Sequence, residues 1–374
     1  MIRELGWKPD FGRTVERFEA WWHGEILDRP PVTLHVLPSR PYRGPVKQHA
    51  RLRERWMDVE YVVDAAIAWM ECCDYVGDAF PLFWPNLGPE ITATLFGCEL
   101  EFSKTTSWSK PVVHEAEGWH RILQMEPDFS NPYWQTVERM TDYAIQRCEG
   151  RYVVGITDLH GNYDILAALR DPQALCLDMV DAPDLIVQVG RHAARAFVQA
   201  FERSYEKVSA SGFGSTTWTP AYYEGRFYVP SCDFWLMVSP EMAREMILPC
   251  ILQEMEPLER SIFHLDGVGA LKHLHLLLEI PHLQAIQWVY GAGQGPAARW
   301  IDVYRQCLQA GKSVQVLAET AQDALRVLEA VGAKGVWLTV SEAFRSVEEA
   351  EAFLRAVAAS SSSTLITSWQ PSPE

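Results

Sequence analysis

The sequence predicts a (β/α)8 TIM barrel carrying a helical extension at its N-terminus and an insertion after the second strand. Three observations lead there. Short apolar runs alternate with amphipathic stretches at helical spacing, the pattern of a parallel sheet wrapped by helices. Eight such runs occur, and eight is the number that closes a barrel. Polar and charged residues collect where the runs stop, which is where barrels place their functional groups.

In chain order, residues 10–27 read as a helix that ends before Arg29-Pro30-Pro31, and Val32–Leu37 is the first strand. Residues 50–72 keep helical spacing without Pro or Gly. The second strand, Val76–Phe83, runs into the stiff loop Trp84-Pro85-Asn86-Leu87-Gly88-Pro89, and residues 91–131, without a clean period, form the insertion. A helix from 132 to near Gly150 precedes the third strand, Tyr152–Thr157, which stops at Asp158-Leu159-His160-Gly161. Residues 172–207 are helical, with a fresh start at Asp181-Ala182-Pro183, where Pro suits the first turn. The fourth strand lies within Thr216–Asp233, and Ser239-Pro240-Glu241 opens another amphipathic helix. Strands five to eight are Ser261–Phe263, Ala285–Val289, Ser313–Leu317 and Gly335–Leu338, with helices at 270–279, 296–310, 321–331 and 346–358. Gly311 and Gly332 stand where helices stop. Residues 1–359 form one domain, and the Ser-rich 360–374 is a frayed tail.

Bulk properties exclude several functions. With 48% hydrophobic and 22% charged residues the chain can bury a full core. A net charge of -16 argues against non-specific binding to nucleic acid or anionic membranes. No secretory h-region and no apolar run of about 20 residues is visible, so nothing is expected to span a membrane. Eight cysteines without a CxxC spacing read as free thiols, which places the protein in a reducing cytoplasm.

The strand ends supply the candidate site: Arg40, Asp78 with Asn86, Asp158 with His160, Trp218, Tyr222 and Asp233, His264 with Asp266, Gln287 with Trp288, Glu319, and Thr339. His264 and Asp266 are two apart and share one face of a strand. Such a pair binds a metal or works as an acid/base couple, and the alternative is a core histidine beside a helix-capping Asp. Glu319, after the apolar SVQVLA, is a third metal ligand or the cap of the next helix. Asp158 before its turn is a functional carboxylate or an ordinary cap, whereas Asp164 and Asp171 read as solvent-facing caps. The loop Gly291-Ala292-Gly293-Gln294-Gly295-Pro296 lacks the Gly-Lys-Ser/Thr ending of a P-loop, and neither GxSxG nor HExxH occurs.

The order of DRPPVTLH, GITDLHGNYDILAALRD, VSPEMAREMILP and IFHLDG resembles the uroporphyrinogen decarboxylase superfamily, which includes the cobalamin-related methyltransferases, from about Arg29 to about Thr339. The resemblance implies a (β/α)8 barrel with its site at the C-terminal mouth and a homodimer. It implies for Arg40 an anion contact and for Asp78 the pyrrole-binding aspartate's position. Val36 and Leu37 stand where the decarboxylases carry arginine and glutamine, which argues against a porphyrinogen substrate. The methyltransferase branch binds zinc through a His-x-Cys pair and a later Cys; here His264 matches and Asp266 replaces the first Cys. The leading expectation is therefore methyl transfer on a small methylated substrate or a corrinoid, with zinc on His264, Asp266 and Glu319 and a corrinoid protein as partner. Asp158 would orient substrate or move a proton. Metal-free decarboxylation or another lyase reaction, using Asp78, Asp158 and Arg40, is the alternative, and a barrel that only binds a ligand is the third.

Overall fold

The computed structural model describes residues 4–367. Its strands in chain order are β1 (Val32–Val36), β2 (Leu82–Phe83), β3 (Glu99–Phe102), β4 (Ser107–Lys110), β5 (Val153–Val154), β6 (Phe227–Tyr228), β7 (Arg260–Asp266), β8 (Ala285–Val289), β9 (Ser313–Ala318) and β10 (Val336–Phe344). Six of them form one curled sheet in the order β1-β10-β9-β8-β7-β6, parallel throughout. β2 and β5 form a separate parallel pair, and β3 and β4 an antiparallel hairpin. Backbone bonds extend from the sheet to the pair: Asp78 N–H donates to Val32 O (2.7 Å), and Gly155 N–H to Phe83 O (2.7 Å). On the far side of the pair, Ile156 N–H donates to Thr216 O (2.9 Å).

The strands form where the apolar runs are longest and richest in Val and Ile, because both faces of a helix-wrapped parallel sheet are dry. AIQWV and SVQVLA accordingly begin where the sequence places them. Elsewhere the ladder is shorter or longer than expected. The runs at 76–83 and 152–157 hold only two paired residues each, whereas β10 continues to Phe344.

The N-terminal helix Phe11–Trp22 sets Phe11, Val15, Phe18 and Trp22 on one buried face, at helical spacing. It lies across the starting ends of the strands. Trp21 Nε1 donates to Gly335 O just before β10 (3.0 Å), and Ser313 Oγ at the start of β9 donates to Trp21 O (2.8 Å). Phe18 meets Trp337 edge-on at 5.2 Å. Fully burying aromatic side chains of this kind stabilises by about 1.5–3 kcal/mol each. One end of the sheet is thus plugged, and the C-terminal end is left for chemistry.

Several expectations need correction. The helix at 50–72 breaks into Leu52–Met57 and Val59–Cys72 because Asp58 leaves helical geometry to cap Tyr61 N–H (3.2 Å). The stretch expected as an insertion contains a 3-10 helix (Pro89–Phe96), the β3–β4 hairpin and the helix Gly118–Gln124. A helix at Asn162–Arg170 is unanticipated, since its start is hidden by Asn162 in the left-handed region (φ 35°). The last helix, Val347–Thr367, runs into the Ser-rich stretch expected to fray: Ser361 is buried and its hydroxyl donates to Val357 O (2.7 Å). The remainder of that tail, 368–374, lies outside the described residues. No helix among the described residues is long and apolar enough to cross a membrane.

Candidate active site

β5 leads into Asp158 and His160, the segment after β6 into Asp233, and β7 ends on His264 and Asp266. These side chains meet. One ligand atom each from His160, Asp164 and Asp233 lies within 4.8 Å of the others, and the same holds for Asp233, His264 and Asp266. Asp233 belongs to both groups.

The two groups differ in what remains free. Asp164 is already committed: it accepts the N–H of Asp233 (Oδ2, 3.0 Å) and of Phe234 (Oδ1, 2.8 Å), capping the 3-10 helix Asp233–Met237. Its carboxylate also stands 3.5 Å from His160 Nδ1, and His160 Nε2 is 3.9 Å from Asp158. Burial opposes charge on His160, but Asp164, Asp158 and Asp233 outweigh it and raise the imidazole to about 10. His160 and Asp164 therefore form an internal ion pair.

Asp233 Oδ1, by contrast, is buried without a hydrogen-bond partner. An unpaired buried carboxylate oxygen is costly. Burial, then the charge of Asp164, raises Asp233 to about 6, with His160 and His264 holding it back.

His264 is fixed by a ladder of amides. Gln287 Nε2 donates to Gln315 Oε1 (2.7 Å) and toward Thr219 Oγ1 (3.3 Å), and Gln315 Nε2 donates to Thr339 Oγ1 (3.0 Å). Gln287 Oε1 is thus turned to His264 Nδ1, which must carry the hydrogen. Nε2 is left with its lone pair. The Trp218 ring meets the imidazole edge-on at 5.2 Å.

Behind the site, the Tyr228 hydroxyl clamps the Asp158 turn: it accepts Leu159 N–H (2.5 Å) and donates to Thr157 O (2.7 Å). Glu254, with no exposed surface, accepts Asn162 N–H (2.6 Å) and Nδ2–H (2.8 Å). Burial pushes Glu254 up to about 8, opposed by those two bonds. Gly161 is required here, because a Cβ would stand 2.1 Å from the Glu254 carboxylate. Burial likewise raises Asp158, with the two histidines lowering it; Trp218 Nε1 faces that carboxylate without reaching hydrogen-bond geometry.

Of the residues read from strand ends, the structure brings together Asp158, His160, Trp218, Asp233, His264, Asp266 and Gln287. It places the others elsewhere. Asp78 is buried at the start of β1 against Arg17 and Arg29. Arg40 is exposed and paired with Asp74 (3.0 Å). Asn86 accepts Gly88 N–H in its own loop (2.7 Å). Tyr222 packs in the core against Phe11, its oxygen accepting Gly214 N–H (2.8 Å). Trp288 points away from the Gln287 face and meets Trp300 edge-on (5.3 Å). Glu319 lies against Gly295 and is in neither candidate metal group, whereas Asp233 is in both.

Sequence reasoning missed Asp164, Asn162, Tyr228 and Glu254. Two signals were present. Asp164 is four residues from His160, the spacing of neighbours on one helix face. Glu254 falls on the buried stripe Ala243, Met246, Ile247, Cys250, Ile251 and Met255, where a charged residue needs a partner.

A cavity of about 310 Å³ opens beside the cluster, lined by His160, Asp164, Asp233 and Glu90 and by Phe234, Leu236 and Met237. A larger one of about 580 Å³ lies by the starting ends of β7 and β8, between Leu252, Met255, Ile280 and Pro281. It contains none of the clustered residues.

The fold has solved counterparts. The chain superposes on a methyltransferase from Methanosarcina mazei with a TM-score of 0.57, at 12% identity, over 92% of this chain and 98% of that one. The chain shares that methyltransferase's fold. At the level of fold the resemblance read from the sequence holds. A B12-independent methionine synthase from Shewanella sp. W3-18-1 aligns over 91% of this chain and 98% of that one at 11% identity, but its TM-score of 0.40 is too low to inform the fold. No protein-family model and no curated protein matches the sequence.

Loss of the His160 proton gives a measurable signature. Its folded value is raised above the ordinary 6.5, so its stabilisation is complete below that pH and is lost as pH rises through about 10. In metal-free protein this one group should lower the unfolding free energy by about 1.4 kcal/mol per pH unit between those limits. Urea denaturation at several pH values should show a shallower decline for His160→Asn. Identical slopes in the two proteins would mean that His160 is neutral at pH 7.

Proposed function

We propose that this chain is an enzyme of the methyltransferase type, working at a metal site formed by Asp233, His264 and Asp266. The observation that carries it is that one ligand atom each from Asp233, His264 and Asp266 lies within 4.8 Å of the others, while Asp233 Oδ1 is buried without a hydrogen-bond partner. The shared fold with the M. mazei methyltransferase supports it. So do the backbone bonds linking the sheet to β2 and β5, which suit a closed eight-stranded barrel with this cluster at its mouth.

The donor set fits a metal. One imidazole and two carboxylates, harder than a thiolate set, suit zinc and also manganese or ferrous iron. Zinc, when bound, supplies Lewis acidity that favours the deprotonated form of a thiol acceptor. The protein's own residues do the rest. Gln287 holds the His264 ring in one tautomer, and Asp164 fixes the backbone from which Asp233 projects. Asp158 and His160, 3.9 Å apart, hold or move a proton beside the substrate. The substrate would be a small methylated molecule, with a corrinoid presented by a partner protein as carrier. The lyase alternative loses Arg40 and Asp78, both engaged outside the site.

Elemental mass spectrometry of the purified protein after zinc loading and dialysis tests this. About one equivalent is expected in the wild type. It should be lost in Asp233→Ala, His264→Ala and Asp266→Ala and kept in Glu319→Ala. A folded wild type that retains no metal sinks the proposal.

A further inference from the structure

A third cavity, of about 290 Å³, shares no residue with the acidic cluster. It lies between the helices Leu52–Met57 and Val59–Cys72, the loop after β2 and the turn of the β3–β4 hairpin. These segments bring Arg55 and Trp56, Tyr61, Asn86 and Lys104 to one space, and no carboxylate lines it.

The polar groups left free there are donors. Asn86 Oδ1 is taken by Gly88 N–H (2.7 Å), which fixes the amide and leaves its NH2 unused. Trp56 Nε1 donates to Ser103 O (2.9 Å), which holds the indole in place. The Arg55 guanidinium, the Lys104 ammonium and the Tyr61 hydroxyl have no hydrogen-bond or ion-pair partner among the described residues. Cations close by in sequence do find carboxylates: Lys47 bonds Asp58, Arg53 pairs with Glu99 (2.8 Å) and Lys110 with Glu101 (3.4 Å). In a chain of net charge -16, two uncompensated cations at one acid-free cavity give it a local field opposite to the global one.

Such a donor set suits an anion, because hydrogen bonds from Arg and Lys to an anionic oxygen are about twice as strong as neutral ones. An inorganic ion would use the donors alone. The half-buried rings of Trp56 and Tyr61, with Val62 and Ala65, add apolar surface that only an organic group can cover. A volume of about 290 Å³ has room for one ring and its head group and is too small for a corrinoid.

We propose that this cavity binds a small aromatic anion, a single aryl ring bearing a carboxylate or a phosphate. The site is separate from the proposed metal centre and does not depend on it.

Isothermal titration calorimetry on the full chain in EDTA tests it with benzoate and phenyl phosphate, against benzyl alcohol as the neutral ring and acetate and inorganic phosphate as ring-free anions. At least one aryl anion should bind about tenfold more tightly than benzyl alcohol and than its own ring-free counterpart. The tighter of the two identifies the head group. Arg55→Gln/Lys104→Gln, a change at two exposed positions, should abolish that advantage and leave the urea-unfolding midpoint unchanged. Benzyl alcohol binding as well as both aryl anions, ring-free anions binding as well as their aryl forms, an advantage that survives the double substitution, or no binding at millimolar concentration each overturns the proposal.

Discussion

Asp78→Ala will cost about 3–5 kcal/mol of folding free energy, the penalty for breaking a buried ion pair, and will leave the proposed metal site intact. The Asp78 side chain has no exposed surface. It accepts from Arg29 (2.5 Å), Arg17 (3.0 Å) and the backbone N–H of Val32 (2.8 Å). Arg17 keeps Asp28 as a second carboxylate partner, at 2.8 Å. Arg29 does not: apart from Asp78 its guanidinium reaches only the Pro30 carbonyl among the described residues, so truncation strands a buried cation. The Val32 amide at the start of β1 loses its acceptor as well. Equilibrium urea unfolding gives the cost, and zinc stoichiometry gives the control. Arg29→Met/Asp78→Leu should recover a substantial part of the loss, because an apolar pair needs no charge compensation. A variant of wild-type stability that no longer binds zinc would instead move Asp78 into the chemistry.

Asp164→Ala will have the second largest effect, and it will reach the proposed metal site. The carboxylate holds the first two amides of the 3-10 helix Asp233–Met237 and balances the charge of His160. Without it two amides lose their partners, each costing about 1–3 kcal/mol where water cannot replace it. Asp233 then loses its fixed backbone, so zinc affinity should fall by about 10- to 100-fold, the range seen when outer-sphere partners of ligands are removed. The His160 titration, followed by NMR, should move down from about 10. Asp164→Asn keeps one oxygen for one amide and should lie between the two proteins. Unaltered zinc affinity in a destabilised Asp164→Ala would show that the cap stabilises the fold without positioning Asp233.

These two aspartates show what the sequence could and could not convey. Both are acidic residues near a strand end, and local pattern assigns them in reverse: Asp78 to the site, Asp164 to solvent. The difference lies in partners distant along the chain. Asp78 answers arginines 49 and 61 residues away, and Asp164 caps amides 69 and 70 residues away. Periodicity reports which way a side chain faces; it does not report what stands opposite. For the same reason β8, β9 and the helix Ala321–Val331 were legible, being set by local apolar pattern and by the Thr320 cap. His264 and Asp266 were legible because i, i+2 geometry is local to one strand. Glu319 stands apart from both acidic groups, against the loop at Gly295, a contact that no local pattern reports.

The amide ladder from His264 to Thr339 divides the site into parts with different freedom to change over evolutionary time. Its donors all run in one direction across four neighbouring strands. Reversing any one amide would set donor against donor and acceptor against acceptor, so the rungs can be exchanged only together. Asp233 and Asp266 lie outside that constraint, and each can be traded singly for a thiol or another carboxylate without disturbing the imidazole. At the metal site proposed here, a lineage built on this scaffold would therefore retune its ion preference by single steps around one immovable histidine.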